Sequence, residues 1–543
     1  MKHRFIALLA AGAVTLSLIS CSDNNVPRSS RERDYEKEME IGQSYAEGGS
    51  EPVRHAECPP LSEVETAVDT LTEDICKTAN SETVKEDIDA LLDLYDRIYE
   101  AHTYAEIEFY SNYTEDEAEE AYNKVYNVLY VAADLLTYCF VRGFQSEYKE
   151  LFEPLITEDD IESYGDLSYD LDTVRSESES SFWDISEERS EYYDIIADDS
   201  LSDDEKDLKC AEILIDLLKD YDEESLYSQY DRDYSGEEIL ALGDSIESEL
   251  MPAMDKLIDA YIDNLDWDEY FSSGTEYTEP FKVISEYAPL LSDDLGRSAE
   301  LICHDKLYTI CNDEAAFEGA FTDELPLESS ATIFIGNMDD DQLLPTAIHE
   351  FGHFHATFYD DTPTYLSRNN LDIAEIQSQG LELIFTQFYD ELYGDSSDAM
   401  KLEQVIDLLD SVISGYLVGE FEYRAVKGKD DLTPQEMVDM FNDIFSYYVG
   451  DYHLYMISHI FESPGYYISY ATSALATFDL FEDAFNAPDK ALERYEKMAK
   501  ISCNSGEFTF RQALSECGFS DVLTADYITD LSKKVDDFAE IYS

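Results

Sequence analysis

Most of the chain carries apolar residues at the three- and four-residue spacing of amphipathic helices. Between Leu61 and about Ser292 this spacing recurs in long stretches that acidic turns separate. With 543 residues, 44% of them hydrophobic, the chain can bury a large core. The pattern therefore predicts a mostly α-helical globular protein. The clearest candidate helices are Val84–Ser111, Glu115–Phe144, Asp203–Asp220 and Gly236–Leu265.

The second half adds one segment with strand character. Ala331–Ile335 is apolar and β-branched, which makes it the best strand candidate in the chain. Helical spacing returns around Leu344–Ala356 and Leu371–Leu383, and again from Tyr466 to about Ala487. We therefore expect a small sheet within a helical body.

The first twenty residues have the composition of a targeting segment. A basic start precedes the apolar run Phe5–Ile19, which is too short for a stable membrane span. The run ends in Leu-Ile-Ser-Cys, which resembles a bacterial lipobox. We expect 1–20 to be a lipoprotein signal peptide and Cys21 to carry the lipid, outside the cytoplasmic membrane. An ordinary signal peptide followed by a chance cysteine is the alternative. Residues 21–60 are polar and rich in Gly, Ser and Pro, as in a flexible tether.

The net charge of the chain limits which molecules its surface can bind. The formal net charge is −88, from 123 acidic and 35 basic residues. Such a surface repels nucleic acid and anionic lipid, and it could attract cationic peptides. The sequence indicates no obligate protein partner.

Eight cysteines remain after Cys21, and an exported protein can form disulfides. Cys303–Cys311 and Cys503–Cys517 are candidate local pairs. Free buried thiols are the alternative.

Candidate chemistry is concentrated in His349-Glu350-Phe351-Gly352-His353. On a helix, His349 and His353 are four residues apart and share one face, where two imidazoles can bind one zinc ion. Glu350 then lies beside the metal and can act as the base toward a water molecule. A surface helix with two solvated histidines is the alternative.

The next helix supplies a third candidate ligand. Leu371, Glu375, Ser378 and Glu382 follow a 4-3-4 spacing and share a face, and Asn369 or Asn370 can cap the helix. Glu375 follows His353 by 375 − 353 = 22 residues, which suits a helix–loop–helix return. Glu382, two turns further on, is expected to support a ligand histidine.

HEFGH followed by AEIQSQGLE resembles the oligoendopeptidase F and thimet oligopeptidase family of zinc metallopeptidases, over roughly Gly319 to Ala487. The resemblance implies that His349, His353 and Glu375 bind one zinc ion per chain and that Glu350 is the base. Gly319-Ala320-Phe321 and the strand at 331–337 resemble the family's segments before the zinc helix.

His459 and the tyrosines that follow it resemble a further family segment, His…Pro-x-Tyr-Tyr-x-x-Tyr, which is also similar to one in the angiotensin-converting enzyme family. The resemblance implies that Tyr470 and His459 stabilise the oxyanion and that Tyr467 lies nearer the substrate. Because the tyrosine spacing varies, Tyr467 and Tyr470 could exchange these roles. Packing in the core or groove is the alternative for at least one of the tyrosines.

Together these features predict two helical lobes around a deep substrate groove, with a zincin-like core and a small β-sheet. The expected regions are an N-terminal helical region at 61–292 and a catalytic region at 293–543. As an edge strand, 331–335 would pair with a peptide, so Ile333 and Ile335 are expected to bind substrate; a purely structural strand is the alternative. The expected function is hydrolysis of short unfolded peptides. A dipeptidyl carboxypeptidase, with Arg424, Lys427 and Lys429 as its cationic cluster, and a non-catalytic peptide-binding lipoprotein are the alternatives.

Overall fold

The protein is mostly α-helical, with one small sheet. The computed structural model describes residues 57–542 apart from 78, 114–115, 157–160, 162–170, 199, 231, 265–278, 314, 339–341, 361 and 449–451. The expected signal peptide and the expected lipid-bearing Cys21 lie outside the described residues. Of the expected tether, only residues 57–60 are described.

The longer helices are α1 (Leu61–Cys76), α2 (Ser81–Ser111), α3 (Asp116–Phe144), α4 (Leu171–Ala197), α5 (Asp203–Leu217), α6 (Met251–Asn264), α7 (Pro280–Leu291), α8 (Asp293–Asp305), α9 (Leu343–Thr357), α10 (Leu371–Phe385), α11 (Ser397–Gly428), α12 (Pro434–Ile444), α13 (Ile468–Asn486), α14 (Pro488–Met498), α15 (Phe510–Cys517) and α16 (Ala525–Ile541). Shorter helical segments are Lys149–Phe152, Ser225–Ser228, Gly236–Leu240, Gly243–Ser245, Tyr389–Tyr393 and His459–Glu462. Single 3₁₀ or π turns are Glu153–Leu155, Leu218–Asp220, Ile246–Leu250, Thr364–Leu366, Thr386–Phe388, Gly394–Ser396, Phe445–Tyr448 and Leu454–Met456.

Side-chain caps define where several of these helices begin. Asn80 Oδ1 accepts from the backbone N–H groups of Glu82 and Thr83 at 3.0 Å, so α2 starts at Ser81. Asn370 caps α10 by accepting from Ile373 N at 3.3 Å. Of the two cap candidates in the sequence, Asn370 is therefore the one used.

The sheet contains β1 (Tyr308–Cys311), β2 (Gly319–Leu325) and β3 (Ser330–Gly336), in the order β1-β3-β2. β1 pairs with β3 in parallel, and β2 pairs with β3 antiparallel. The prediction that 331–335 forms an edge strand is therefore wrong. Ile333 and Ile335 are 0% and 1% exposed, so they cannot bind a peptide. Within the described chain, β2 is the edge strand that borders the groove.

Two apolar clusters form the helical lobes. The smaller one runs from Val64 to Val174, mainly on α1 to α3, and includes Tyr365 and Leu366. The larger one runs from Tyr192 to Ala539 and contains α9, α10, α11 and α13. Along the chain, the smaller cluster gives way to the larger one between residues 174 and 192. The expected domain boundary at residue 292 stays a prediction.

Two sequence expectations need correction. The stretch Gly236–Leu265 is not one helix but a series of short segments before α6. A Cβ on Gly243 would lie 2.1 Å from the Tyr416 hydroxyl oxygen, so a contact 173 residues away shapes this bend. The candidate disulfides are also absent, since all eight cysteines after Cys21 are free thiols.

One described helical stretch, Glu117–Phe144, has the length and apolar composition of a membrane span. However, 56% of its most apolar window is buried in the protein, where α3 packs on α1, α2 and α4. Buried core helices of globular proteins often have the same length and apolar composition, so this stretch is only weak support for a membrane crossing.

Candidate functional site

Helices α9 and α10 bring together His349, His353 and Glu375. The Nε2 atoms of His349 and His353 lie 3.4 and 3.7 Å from Glu375 Oε2. One ligand atom from each residue lies within 4.8 Å of the others. Imidazole nitrogens and carboxylate oxygens are ligands that zinc accepts. The three side chains therefore fit a mononuclear metal site.

Gly352 explains why the two helices can approach so closely. A Cβ at this position would lie 2.7 Å from both the carbonyl oxygen of Gln377 and the Cα of Ser378. Backbone atoms cannot give way as a side-chain end can, so only glycine fits without moving α10. The contact sets the separation of the helices that carry the candidate ligands.

A chain of hydrogen bonds orients His349. Its Nδ1 lies 2.6 Å from Glu382 Oε1, while Gln404 Nε2 donates to Glu382 Oε2 at 2.9 Å. The Tyr389 hydroxyl donates in turn to Gln404 Oε1 at 2.9 Å. With Nδ1 held by Glu382, Nε2 points toward Glu375, as expected for a ligand imidazole.

The charge at this site favours a cation. Burial disfavours the charged form of His349, but hydrogen bonds to Glu375 and Glu382 raise its pKa well above the usual value. Burial would raise the pKa of Glu375, yet His349 and His353 hold it down to about 2. Burial lowers the pKa of His353 to about 4. An ionised Glu375 and a neutral His353 are the protonation states that bind metal, whereas a metal ion would have to displace the proton that the two glutamates favour on His349.

Glu350 is buried on α9 beside the same site. The Thr322 hydroxyl of β2 donates to Glu350 Oε2 at 2.7 Å, and its oxygen also lies 3.0 Å from the Glu350 carbonyl oxygen. Burial raises the pKa of Glu350 to about 7, while the Thr322 hydrogen bond and His349 act in the opposite direction. A carboxyl group poised near neutrality can both accept and return a proton.

The predicted oxyanion residues cluster around one imidazole. The His459 ring centroid lies 5.1, 5.2 and 5.9 Å from those of Tyr466, Tyr467 and Tyr470. Tyr466 and Tyr470 line the groove that contains the candidate metal site, whereas Tyr467 lines a second cavity behind His349. Tyr466, which the sequence did not single out, places its hydroxyl 3.5 Å from Glu375 Oε1.

Buried Arg232 holds the loop that presents these tyrosines. Its guanidinium donates to the carbonyl oxygen of Gly465 at 2.6 Å and to Ser469 Oγ at 2.7 Å. Gly465 has φ +83°, and a Cβ there would lie 2.4 Å from the carbonyl oxygen of Leu226. The Gly465 N–H donates to Glu422 Oε1 at 2.7 Å. The tyrosine loop is thus fixed by contacts with residues far away in the sequence.

The groove around the site encloses a cavity of about 130 Å³. β2 forms one wall through residues 320–324, and α9, α10 and the tyrosine loop form the floor and the other wall. Tyr99 of α2 and Thr364 also line it. The groove therefore runs between the two lobes, with the edge strand along one side.

A second group of metal-ligand type lies under β2, formed by buried His102, Glu106 and Asp323. Asp323 already accepts hydrogen bonds from Tyr99 and Thr103, both at 2.7 Å, and it is hydrogen-bonded to Glu106. Burial lowers the pKa of His102 to about 3, and tyrosine rings surround its imidazole. A neutral histidine beside a proton-sharing carboxyl pair accounts for this group without a metal.

The remaining candidate histidines lie elsewhere. His355 faces away from the ligand histidines, as helical geometry requires, and its Nδ1 lies 2.9 Å from Ser298 Oγ. His453 Nδ1 lies 2.7 Å from Asp207 Oδ2, and its ring stacks on Tyr455.

No protein-family model and no curated protein sequence matches this chain. Its fold is similar to that of solved structures. PZ peptidase A, solved with an inhibitor, aligns with a TM-score of 0.69 at 14% identity, over 90% of this chain and 99% of that one. A candidate oligoendopeptidase F from Bacillus anthracis aligns with a TM-score of 0.67 at 13% identity, over 91% and 98%. Another candidate oligoendopeptidase F has a TM-score of 0.67 at 14% identity, over 90% and 98%. The chain therefore has the oligoendopeptidase fold along nearly its whole described length.

Proposed function

We propose that this protein is a zinc-dependent peptidase that hydrolyses internal bonds of short, unfolded peptides. The observation that carries the proposal is the convergence of His349, His353, Glu375 and Glu350 in a groove between two lobes. The fold shared with oligoendopeptidase F and PZ peptidase A structures supports it.

His349, His353 and Glu375 would hold the metal. Two imidazoles and one carboxylate form a set found in catalytic zinc sites, where a fourth position stays open. When bound, zinc acts as a Lewis acid on a carbonyl and lowers the pKa of water to about 7. Glu382 and Gln404 keep His349 in the required orientation.

Glu350 is the proposed general base. Its carboxylate takes a proton from the attacking water and delivers it to the leaving amine. The Thr322 hydroxyl positions Glu350 and connects it to β2. The same strand that would align the peptide thus also orients the base.

We assign substrate alignment to β2 instead of β3. An extended peptide can add to an exposed strand edge through main-chain hydrogen bonds. Residues 320–324 border the groove, and among the described strands none pairs with their open side. The cavity of about 130 Å³ suits a single extended chain, which supports short unfolded peptides as substrates.

Tyr470 and His459 remain the proposed stabilisers of the oxyanion, and Tyr466 joins them as a candidate. A phenol hydroxyl aimed at the developing negative charge lowers the barrier without needing a charged donor. Tyr470 lines both the groove and the second cavity, so it lies at the junction between them.

The cationic cluster that the carboxypeptidase alternative requires is not placed to bind a substrate's C-terminal carboxylate in the groove. Arg424 pairs with Glu420, Lys427 Nζ lies 2.8 Å from Glu223, and Lys429 Nζ donates to backbone carbonyls such as that of Leu218 at 3.0 Å. None of these cations lines the groove as the described residues form it. The non-catalytic alternative leaves the buried, oriented Glu350 unexplained.

One assay distinguishes the three candidate functions. Mature protein with zinc is incubated with a quenched peptide that has a blocked or a free C-terminus. We expect internal cleavage of both, and Glu350→Gln should reduce it on the order of 10³-fold while retaining zinc, since the base and the proton shuttle are lost together. Cleavage that requires a free carboxylate would favour the carboxypeptidase, and binding without cleavage would favour the peptide-binding lipoprotein.

We further propose that the enzyme is exported and held outside the cytoplasmic membrane by a lipid on Cys21. The lipobox-like Leu-Ile-Ser-Cys supports this location. Cys21→Ala should abolish incorporation of labelled lipid and move the protein to the soluble exported fraction. Unchanged labelling would refute the anchor.

A further inference from the structure

A second cavity of about 70 Å³ opens directly behind the candidate metal site. His349 and Tyr470 line both this cavity and the groove, so the two spaces adjoin at the proposed reacting position. Its deeper walls come from α10 and α11. This space is large enough for the end of a side chain, since one water needs about 10–15 Å³ by the same kind of measure.

Apart from His349, the charged groups that line this cavity are acidic, and the hydroxyl groups of Thr346, Ser411, Ser414, Tyr467 and Tyr470 complete its polar lining. Glu382 and Asp407 supply carboxylates, and Gln379 supplies an amide oxygen. Gln404 also lines the cavity, but its NH₂ group already donates to Glu382. No lysine or arginine is among the described residues that line it.

Gln379 provides an independent sign that the cavity receives a ligand. The residue is 6% exposed, and its Oε1 atom has no hydrogen-bond partner among the described residues. A buried acceptor without a partner is costly, so one that borders a cavity calls for a donor inside it.

His349 pairs with Glu382, but no cationic group among the described lining residues is paired with Asp407. Asp407 is half-buried, and its carboxylate accepts no hydrogen bond from the described residues. Burial, together with the charges of Glu403, Asp410 and Glu382, raises the pKa of Asp407 well above its usual value. A cationic group in the cavity would relieve this repulsion.

We infer that the second cavity is a specificity pocket for the cationic side chain of a lysine or arginine next to the scissile bond. The inference rests on the proposed peptidase function. An ammonium or guanidinium group carries only donors, which matches a lining of carboxylates and an unpaired amide oxygen. Because His349 and Tyr470 line both spaces, only a residue beside the cleaved bond lies close enough to reach the pocket.

The test uses quenched peptides that differ at one residue flanking the scissile bond: lysine, arginine, norleucine or glutamate, on each side in turn. With wild-type enzyme we expect kcat/KM for lysine or arginine to exceed that for norleucine at least about tenfold on one side, because norleucine leaves the polar groups unpaired. Equal values for lysine and norleucine on both sides would overturn the inference while leaving the peptidase intact.

Asp407→Asn should reduce the lysine-to-norleucine ratio several-fold, and because the ratio is taken within one variant, a general loss of activity cancels. Asp430→Asn, which removes an equal charge at an exposed turn, should keep the wild-type ratio. If Asp407→Asn fails to fold, the wild-type ratio still decides. If no peptide is cleaved, the proposed function fails, and calorimetric binding of the same peptides decides the pocket: tighter binding of the lysine peptide supports it, and equal binding refutes it.

Discussion

The Thr322 hydroxyl donates a hydrogen bond of 2.7 Å to the Glu350 carboxylate and so links the edge strand of the groove to the proposed base. A hydrogen bond to an ionised group is a strong one, and it fixes the direction in which the carboxylate presents its free oxygen. Peptide alignment and proton transfer would then depend on neighbouring atoms of one strand.

Thr322→Val should lower kcat by about 10–100-fold, since it removes a hydrogen bond to a charged group. This bond also opposes the rise in the pKa of Glu350 caused by burial. Its loss should therefore raise that pKa further and move the acidic limb of the pH–rate profile to higher pH. Thr322→Ser keeps the hydroxyl and should therefore keep both the wild-type kcat and the wild-type pH–rate profile. A Val variant with an unshifted profile would contradict a positioning role.

His353→Ala should lose the bound metal, because two ligands remain where three are needed. Metal analysis should give one zinc per wild-type chain and well below one in this variant. Glu106→Gln, in the second buried group, serves as the control and should retain one zinc per chain. A second equivalent of metal that disappears in Glu106→Gln would show that this group binds metal after all.

Tyr470→Phe should reduce kcat by about 10²–10³-fold, the effect of removing one oxyanion donor, with little change in KM. Tyr467→Phe should mainly raise KM, since Tyr467 lines the second cavity. Steady-state kinetics of both variants, together with zinc content, separates the roles. A large kcat defect in Tyr467→Phe with a mild one in Tyr470→Phe would exchange them.

Tyr466→Phe completes the series, because the Tyr466 hydroxyl lies beside Glu375. If it only supports the ligand, its loss should weaken zinc retention more than kcat of the zinc-loaded enzyme. A kcat defect as large as that of Tyr470→Phe would make Tyr466 the oxyanion donor.

Glu422→Gln should stabilise the protein in a pH-dependent way. Burial raises the pKa of Glu422 from 4.5 to about 7. Between these values the unfolded chain releases its proton while the folded chain keeps it, so the free energy of unfolding of the wild type falls as pH rises. The loss is complete above about pH 7 and amounts to roughly 3 kcal/mol at most.

Chemical denaturation at about pH 5 and about pH 7.5 measures this effect. The stability gained by Glu422→Gln should be larger at the higher pH, and the amide can still accept from Gly465 N. Glu540→Gln, at an exposed position, is the control and should show no such trend. A gain that does not change with pH would contradict the burial of an uncharged Glu422.

The sequence alone could predict the features that depend on helical spacing. His349 and His353 share a face because they are four residues apart, and Glu375 and Glu382 do so because they are seven apart. The convergence of Glu382 on His349 follows from that spacing once the two helices pack together. Local periodicity was sufficient because these residues belong to two adjacent helices.

Strand order was not predictable in the same way. β3 is the most apolar strand because both its faces and both its edges are covered, whereas its apolar, β-branched sequence is equally compatible with an edge position. β2 contains Asp323 and Glu324, whose polarity hides its strand character, yet this polarity is what an exposed groove edge requires. Pairing partners are set by tertiary packing, which period-two patterns do not specify.

The position of Tyr466 also depended on distant residues. The conformation of the loop before α13 depends on Arg232, which lies more than 230 positions earlier in the sequence. Its guanidinium donates a hydrogen bond to the Gly465 carbonyl oxygen. That contact and the positive φ of Gly465 fix the loop from which Tyr466 reaches the groove, whereas the adjacent Tyr467 lines the second cavity. Neither the hydrogen bond from Arg232 nor the backbone conformation of Gly465 can be predicted from the sequence of the loop alone.

The close approach at Gly352 has a consequence for how this protein can evolve. Because main-chain atoms of Gln377 and Ser378 form the contact, every sequence presents the same surface there. Side chains elsewhere on α9 and α10 can then be exchanged without changing the distance between the ligand-bearing helices. The fold of this chain is similar to that of PZ peptidase A at only 14% identity, so the fold tolerates many exchanges of side chains. Selection that keeps glycine at position 352 would therefore preserve the spacing of the three candidate ligands while the surrounding sequence changes.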